Sequence, residues 1–169
     1  MDFFLLGLIF LVLFTFVYGG LRGAPWVPTK KADIERILQL VELKEGVKFY
    51  DLGAGDGRLI AAAAKRGAEA VGYEISILPY FMAQLRTLFL NNKTRCRIVY
   101  KDFWFVNLKD ADIIYFFLIP RTIKKLKLKL EKELKKGARV ISYTFPINGW
   151  EALKADKNKG KPSIYLYER

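Results

Sequence analysis

From residue 29 onward, two patterns of apolar and polar positions alternate along the chain. Short apolar runs, typical of buried parallel strands, lie at 47–52, 69–75, 97–102, 112–119 and 138–145. Segments with helical spacing or an alanine run separate them, at 29–46, 57–66, 76–90 and 122–137. The continuously apolar run at 112–119 is expected at the centre of the sheet, whereas 163–168 alternates like a sheet-edge strand. This order predicts an α/β fold with a doubly wound, Rossmann-like parallel sheet.

The N-terminus has a different pattern, because residues 3–18 carry no charge and only Thr15 is polar. With 19–21 the run reaches 19 residues, close to the ~20 that a helix needs to cross a bilayer. A cleaved signal peptide would place basic residues before the run, but Asp2 precedes it and Arg22 follows it. Positive charge after the run orients the following domain towards the cytoplasm. We therefore expect a retained single-pass anchor in the cell membrane.

The composition of the chain limits the kinds of partner and of catalytic site that it can have. The chain has 169 residues, with 29 Lys and Arg against 17 Asp and Glu, a net charge of +12. This charge favours acidic partners such as nucleic acid, anionic lipid or an acidic protein face, and a solvated lysine-rich surface explains it equally well. The lack of histidine excludes Ser-His-Asp and Cys-His nucleophiles and most zinc sites, so no metal site is expected. The single cysteine, Cys96, permits no internal disulfide and is expected in the core.

The stretch YDLGAGDGRLI at 50–60 follows the first predicted strand and places Asp56 among Gly53, Gly55 and Gly57. It departs from the dinucleotide fingerprint G-x-G-x-x-G because the third glycine comes one residue early, and the Gly-Lys-Ser/Thr of a P-loop is absent. An aspartate beside a phosphate would bring like charges together. The turn therefore favours a ligand with positive charge and no phosphate. S-adenosylmethionine, with its sulfonium and ammonium groups, has these properties.

Carboxylates at the ends of three consecutive predicted strands fit the same ligand, because ligands of such sheets bind at the carboxyl ends of strands. Asp51 or Asp56 would hold the ammonium group, directly or through water. Glu74 would accept hydrogen bonds from both ribose hydroxyls. Asp102 would accept one from the adenine amine, and Phe103 or an apolar neighbour would cover the ring. Each acid alone is typical of an exposed strand end, but together with the glycine turn they predict an S-adenosylmethionine site.

Longer motifs accompany these residues, and they are APWVPT (24–29), YDLGAGDGRLIAAAAKRGAEAVGYEI (50–75), KDFW (101–104), FFLIP (116–120), LEKELKKGARVIS (130–142) and FPINGW (145–150). Together they resemble class I, seven-stranded S-adenosylmethionine-dependent methyltransferases. Within that class they resemble the membrane-anchored protein-lysine methyltransferases of the ATP synthase c-subunit and adenine nucleotide translocase type, with their prokaryotic relatives. The glycine motif is common to the whole class, whereas the Trp-Val-Pro-Thr and Phe-Pro-x-x-x-Trp blocks are far more specific.

The resemblance implies a seven-stranded, mostly parallel sheet with its last strand antiparallel. It implies a transmembrane anchor at 1–21, a linker and cofactor-covering segment at 22–30, and a methyltransferase domain at 31–169. A glycine-rich hinge is expected at 19–25.

The resemblance also assigns roles to individual residues. The cofactor would be bound by Asp51, Gly53, Ala54, Gly55, Asp56, Gly57, Glu74 and Asp102. Trp26 and Thr29 would fold over its methionine end. Phe117 to Pro120 would line the methyl-transfer pocket.

Three alternatives to a protein-lysine methyltransferase stay open. A small-molecule or lipid methyltransferase would share every cofactor residue and the anchor. A nucleic-acid methyltransferase would suit the charge, but FFLIP replaces the Asn/Asp-Pro-Pro-aromatic turn that amino-directed base methylation typically needs. A membrane-tethered binding module would require a degraded cofactor site, and the motifs are intact. The expected partner is a protein that presents a lysine, embedded in the membrane, such as a component of the ATP synthase; nucleic acid is not expected.

Overall fold

The computed structural model describes residues 3–90 and 95–169. Its helices are Phe3–Arg22 (α1), Lys31–Leu40 (α2), Arg58–Lys65 (α3), Ile77–Leu88 (α4) and Pro120–Glu133 (α5). Its strands are Lys48–Leu52 (β1), Glu69–Glu74 (β2), Cys96–Tyr100 (β3), Ile113–Phe116 (β4), Arg139–Tyr143 (β5), Lys154–Asp156 (β6) and Ile164–Glu168 (β7). A short 3-10 turn at Phe103–Phe105 follows β3. Each element from α2 to β5 overlaps a run that the sequence pattern predicted.

The strands within the described residues form one seven-stranded sheet in the order β3-β2-β1-β4-β5-β7-β6. Strands β1 to β5 are mutually parallel, and β7 is antiparallel to both of its neighbours. The predicted doubly wound sheet with an antiparallel last strand is therefore confirmed, as is the central position of β4. The chain leaves β1 in one direction and returns to β4 on its other side, so the topological switch point lies between these two strands.

Strand β7 is not at the edge of the sheet, so that prediction is wrong. It lies between β5 and the three-residue β6, which forms the edge. Ile164 and Leu166 are buried while Tyr165 between them is half-buried. Alternation along a strand reports which of its faces is buried, and it does not report how many strands flank it.

Apolar side chains pack on both faces of the sheet. Helices α2, α3 and α4 cover one face, and α5 covers the other. The apolar stripe of the predicted helical segment at 122–137 is buried, with Ile123, Leu126 and Leu130 on α5 and Leu134 directly after it. Cys96 is the first residue of β3, and it is buried in the core on the side of the sheet that α2, α3 and α4 cover, as expected.

Helix α1 continues through Gly19 to Arg22, so the expected hinge at 19–25 does not begin until after the helix ends. In the described part of the chain it is the one helix long and apolar enough to cross a membrane, and most of its side chains are exposed. Thr15 is its buried residue, and Thr15 Oγ1 accepts a hydrogen bond from the Ile77 backbone N–H of α4 at 3.2 Å. The last two turns of α1 therefore rest on the domain.

Two small residues allow this contact. A Cβ at Gly19 would lie 2.7 Å from Ser76 Oγ, so glycine lets α1 approach the start of α4. Ser76 occupies the N-cap position of α4, but among the described residues its side chain makes no capping hydrogen bond. The hydroxyl lies 3.5 Å from the Thr15 carbonyl oxygen of α1 instead.

Candidate active site

A cleft opens at the switch point, above the carboxyl ends of β1, β2 and β4. The space within it, with open solvent at its mouth included, is about 800 Å³. It is lined by residues 22–29, the glycine turn, the ends of β2 and β3, and Tyr115, Phe117 and Leu118 of the segment at the end of β4. The predicted site residues in this lining are Trp26, Thr29, Asp51, Gly53, Ala54, Gly55, Asp56, Glu74, Asp102, Phe103 and Phe117.

Three predicted site residues do not line the cleft, and they are Gly57, Ile119 at the N-cap of α5, and Pro120. Gly57 precedes α3 with φ +71, and a Cβ there would lie 2.9 Å from the Ala83 Cβ on α4. Glycine is needed at this position for the backbone turn and for helix packing. Pro120 is exposed and begins α5, where its missing N–H and fixed φ are favourable.

Trp26 lies over the glycine turn. Gly55 has φ +55, and a Cβ there would lie 2.8 Å from the Trp26 indole nitrogen. The indole also packs against Phe16 of α1, with ring centroids 6.0 Å apart. The segment after α1 therefore forms a roof over the turn, and a side chain at Gly55 would displace that roof.

Glu74 joins the glycine turn to the end of β2. Its Oε2 accepts a hydrogen bond from the Gly55 N–H at 2.8 Å. Its Oε1 accepts from the Ile75 and Ser76 N–H groups at 2.8 and 2.7 Å. A carboxylate offers about four lone-pair positions, so these three bonds leave about one, on Oε2, for a ligand hydroxyl. Glu74 therefore has room for one ribose hydroxyl rather than the two that we expected.

Asp102 is paired with the end of α1. Its Oδ2 accepts from Arg22 Nε at 2.8 Å, and its Oδ1 accepts from the Trp104 backbone N–H at 3.0 Å. Trp104 in turn donates its indole N–H to the Arg22 carbonyl oxygen at 2.9 Å. The acid at the end of β3 therefore pairs with a cation from the end of α1.

Asp56 is neutralised from outside the turn. Its carboxylate contacts Arg58 at 2.8 Å and Arg86 of α4 at 2.7 Å. Burial by itself would raise the pKa of Asp56, but the two guanidinium groups hold it below its ordinary value. The negative charge of Asp56 is therefore neutralised by ion pairs with two arginines of the protein itself.

Asp51 has the opposite environment. Its side chain is buried, and among the described residues no donor reaches its Oδ1. Burial raises the pKa of Asp51 well above its ordinary value, and the charges of Glu74 and Asp56 add to the shift. An unpartnered buried carboxyl group costs free energy, and a cationic ligand group in the cleft would remove that cost. Of the two aspartates considered for the ammonium group, Asp51 is the one that fits.

Aromatic side chains form one wall of the cleft, beside the acids, because Tyr115 of β4 is the register partner of Asp51 on β1. The Tyr115 hydroxyl and Thr29 Oγ1 share a hydrogen bond of 2.8 Å. Phe117 packs edge-to-face on Tyr143, with ring centroids 4.8 Å apart. Tyr143 is held from behind because its hydroxyl donates to Asp33 Oδ2 at 2.6 Å. Burial raises the pKa of Tyr115 well above its ordinary value, so its hydroxyl stays protonated.

Sequence reasoning missed three residues of this site. Arg22 was used only as a charge that orients the membrane helix, and Arg86 lies in an otherwise uncharged helix. Tyr115 lies inside the apolar run at 112–119, which was predicted only as a central strand. A signal existed for Tyr115, because it is the polar-tipped residue closest to the carboxyl end of the central strand. None existed for Arg22, whose partner is 80 residues away.

Comparison with known proteins gives relatives that share most of the chain. A protein-lysine N-methyltransferase of Saccharolobus islandicus is 38% identical over 149 residues, which are 85% of this chain and 92% of that protein. The human lysine N-methyltransferase of the ATP synthase c-subunit is 32% identical over 84% of this chain, and the mouse adenine nucleotide translocase lysine N-methyltransferase is 33% identical over 85%. The chain spans 61% and 62% of the lengths of these two mammalian proteins.

A solved structure matches the fold closely. An RNA methyltransferase from Salinibacter ruber in complex with S-adenosyl-L-homocysteine has a TM-score of 0.81 and 28% identity, covering 84% of this chain and 93% of that one. Residues 51–154 match the sequence profile of the ANTKMT methyltransferase domain. This match begins at the buried Asp51 and includes Glu74, Asp102 and the aromatic wall. The chain therefore belongs to the ANTKMT methyltransferase domain family, and it is a class I methyltransferase that uses S-adenosylmethionine.

Proposed function

We propose that this chain methylates lysine side chains of a membrane or membrane-associated protein. The observation that carries the proposal is the buried Asp51 carboxyl group, whose Oδ1 has no partner among the described residues, in a cleft that aromatic side chains also line. Such a cleft fits a cationic methyl donor beside the acids and an amine acceptor beside the aromatic rings. The names of the Saccharolobus, human and mouse relatives support a protein lysine as the acceptor.

Different residues of the cleft would bind different parts of the cofactor. Asp51 would take the ammonium group, and Glu74 would take a ribose hydroxyl on the free position of Oε2. Asp102, already oriented by Arg22, would take the adenine amine, with Phe103 against the ring. The backbone of Gly53, Ala54 and Gly55 would lie against the methionine and ribose portions, and Thr29 would close over them with Trp26. The bound cofactor supplies an electrophilic methyl group on a sulfonium.

The acceptor lysine must be neutral to react. Its unperturbed pKa of ~10.4 makes deprotonation near pH 7 cost about 4–5 kcal/mol, at ~1.36 kcal/mol per pH unit. Transfer into an apolar cleft lowers that cost, because desolvation disfavours the ammonium form. Trp26, Phe117 and the protonated Tyr115 would exclude water and hold the amine in line. Positioning of this kind supplies most of the acceleration without a strong base.

We also propose the division of the chain into an anchor at 1–21, a covering segment at 22–30 and a catalytic domain at 31–169. Helix α1 has the length and composition of a membrane span. The segment from Gly23 to Lys30 has no regular structure and roofs the glycine turn. Arg22 at the end of α1 supports a single-pass arrangement in the cell membrane with the domain on the cytoplasmic side.

Methyl transfer to native membranes tests the acceptor. Membranes incubated with radiolabelled cofactor and the full chain should gain label in a protein band, recovered as methyllysine after hydrolysis. Asp51→Asn should lose this labelling, and Glu151→Gln, the same acid-to-amide change at an exposed residue outside the cleft, should retain it. Label only in the lipid fraction, or only in added RNA, would overturn the proposal. RNA is included because the Salinibacter protein is described as an RNA methyltransferase.

Proton release on cofactor binding tests the role of Asp51. The pKa of Asp51 is raised in the free protein, and a neighbouring ammonium group would lower it. Binding should therefore release a proton at a pH below the raised pKa, and the release should vanish as the pH rises through it. Calorimetry in two buffers of different ionisation enthalpy measures the protons exchanged. Asp51→Asn should abolish the difference between buffers, and an unchanged difference would assign the proton to another group.

A further inference from the structure

Helix α4 exposes an almost entirely apolar outer face. We call this surface the α4 face, and its residues are Leu78, Phe81, Met82, Leu85, Leu88 and the adjoining Phe89. All are exposed, with Phe89 84% accessible. The single charge within α4 is Arg86, whose guanidinium is engaged by Asp56. A contiguous apolar surface of this kind marks a binding site in a folded protein.

The α4 face begins where α4 touches α1. The Ile77 N–H donates to Thr15 Oγ1, and Thr15 lies seven residues before Arg22 at the end of α1. At ~1.5 Å per residue, Thr15 is about 10 Å along the helix axis from Arg22. Half of the hydrocarbon core of a bilayer is about 15 Å thick. If Arg22 lies at the headgroups, the start of α4 therefore lies at the depth of the lipid tails.

The first turn of α4 is suited to that depth. A helix start normally leaves N–H groups that need water, and lipid tails cannot supply it. Here the Ile77 N–H is taken by Thr15, Pro79 has none, and the Tyr80 N–H donates to the Ser76 carbonyl oxygen at 3.1 Å. Leu78 is then the one residue in this turn whose backbone N–H is still to be accounted for. Few backbone donors are left to resist entry into an apolar environment.

We propose that the α4 face is a second membrane-contacting element, immersed in the lipid bilayer beside α1. The inference rests on the proposed anchoring by α1. It goes beyond that anchoring, because it places part of the catalytic domain itself in contact with the lipid. The bilayer is favoured over a second protein because the face is continuous with the membrane helix.

Single fluorophores report where the α4 face lies. The full chain is labelled with a nitrobenzoxadiazole maleimide at Phe81→Cys, Leu85→Cys or Phe89→Cys, and reconstituted in phosphatidylcholine–phosphatidylglycerol vesicles with or without doxyl-labelled lipid. The native Cys96 is buried and its pKa is raised to about 11, so labelling near neutral pH selects the introduced thiol. Leu128→Cys, an equally exposed leucine on α5, is the matched control. Phe10→Cys reports on α1.

Quenching by doxyl lipid should be at least about fivefold stronger at the three α4 positions than at Leu128→Cys, and of the order seen at Phe10→Cys. Strong quenching at Phe10→Cys with none on α4 would overturn this inference alone. Absence of quenching at both would overturn the anchor and the inference together. A blue-shifted α4 probe that doxyl lipid does not quench would assign the face to a second copy or another protein instead. Unchanged cofactor affinity in each labelled variant verifies the fold.

Discussion

Replacement of Asp51 by asparagine is expected to lower cofactor affinity by about 10- to 150-fold, the loss of one charge-assisted hydrogen bond of about 1.5–3 kcal/mol. The same change is expected to stabilise the free protein. Asp51 is buried with Oδ1 unpartnered among the described residues, so its ionised form is unfavourable until a cation arrives. Asparagine has nearly the same shape and carries no charge.

The pH dependence of this effect has a definite sign. The pKa of Asp51 is raised on folding, so the folded state binds more protons than the unfolded state. Its contribution to stability is then present at low pH and is lost as the pH rises from ~3.9 through the raised value. The melting temperature of Asp51→Asn should therefore exceed that of the wild type by more at neutral pH than at acidic pH. Equal melting temperatures at neutral pH would show that the carboxyl group has a partner.

Replacement of Glu74 by alanine is expected to abolish measurable cofactor binding and to destabilise the protein. It removes the acceptor of three backbone N–H groups, those of Gly55, Ile75 and Ser76. Each buried donor left unsatisfied costs about 1–3 kcal/mol, and two of these bonds are buried. We expect the free energy of unfolding to fall by about 2–5 kcal/mol. Denaturant titration and calorimetry with the cofactor measure the two effects.

Two further variants make this test specific. Glu69→Ala, at the exposed start of the same strand, should leave both measurements unchanged. Glu74→Gln keeps one oxygen acceptor and should fall between the wild type and Glu74→Ala in stability. Unchanged cofactor affinity in Glu74→Gln and Glu74→Ala would remove the ribose assignment. The opposite stability changes of Asp51→Asn and Glu74→Ala distinguish an acid that awaits a ligand from one that also holds the turn.

Much of the architecture was accessible from local sequence. The mainly apolar runs of β1 to β5 indicated a parallel sheet, because strands covered on both faces have few polar positions. The glycines at 53, 55 and 57 were identified correctly as a turn, since all three have positive φ. The edge position of β7 was wrong, because burial pattern does not encode strand order.

The site was only partly accessible. Sequence position placed Asp51, Glu74 and Asp102 at strand ends, and the ends of parallel strands must converge at one edge of a sheet. Position alone left Asp51 and Asp56 equivalent as ammonium ligands. The fold distinguishes them, because Arg86 of α4 reaches Asp56 and no described donor reaches Asp51 Oδ1.

The sequence by itself determined the order of elements, the acidic character of the cleft and the class of ligand, since these depend on residue types and spacings within short segments. Only the tertiary structure decided which carboxylate is free, that Arg22 meets Asp102, and that α1 rests on α4. Each of these is an interaction between groups distant along the chain, and its strength depends on separation and burial in space.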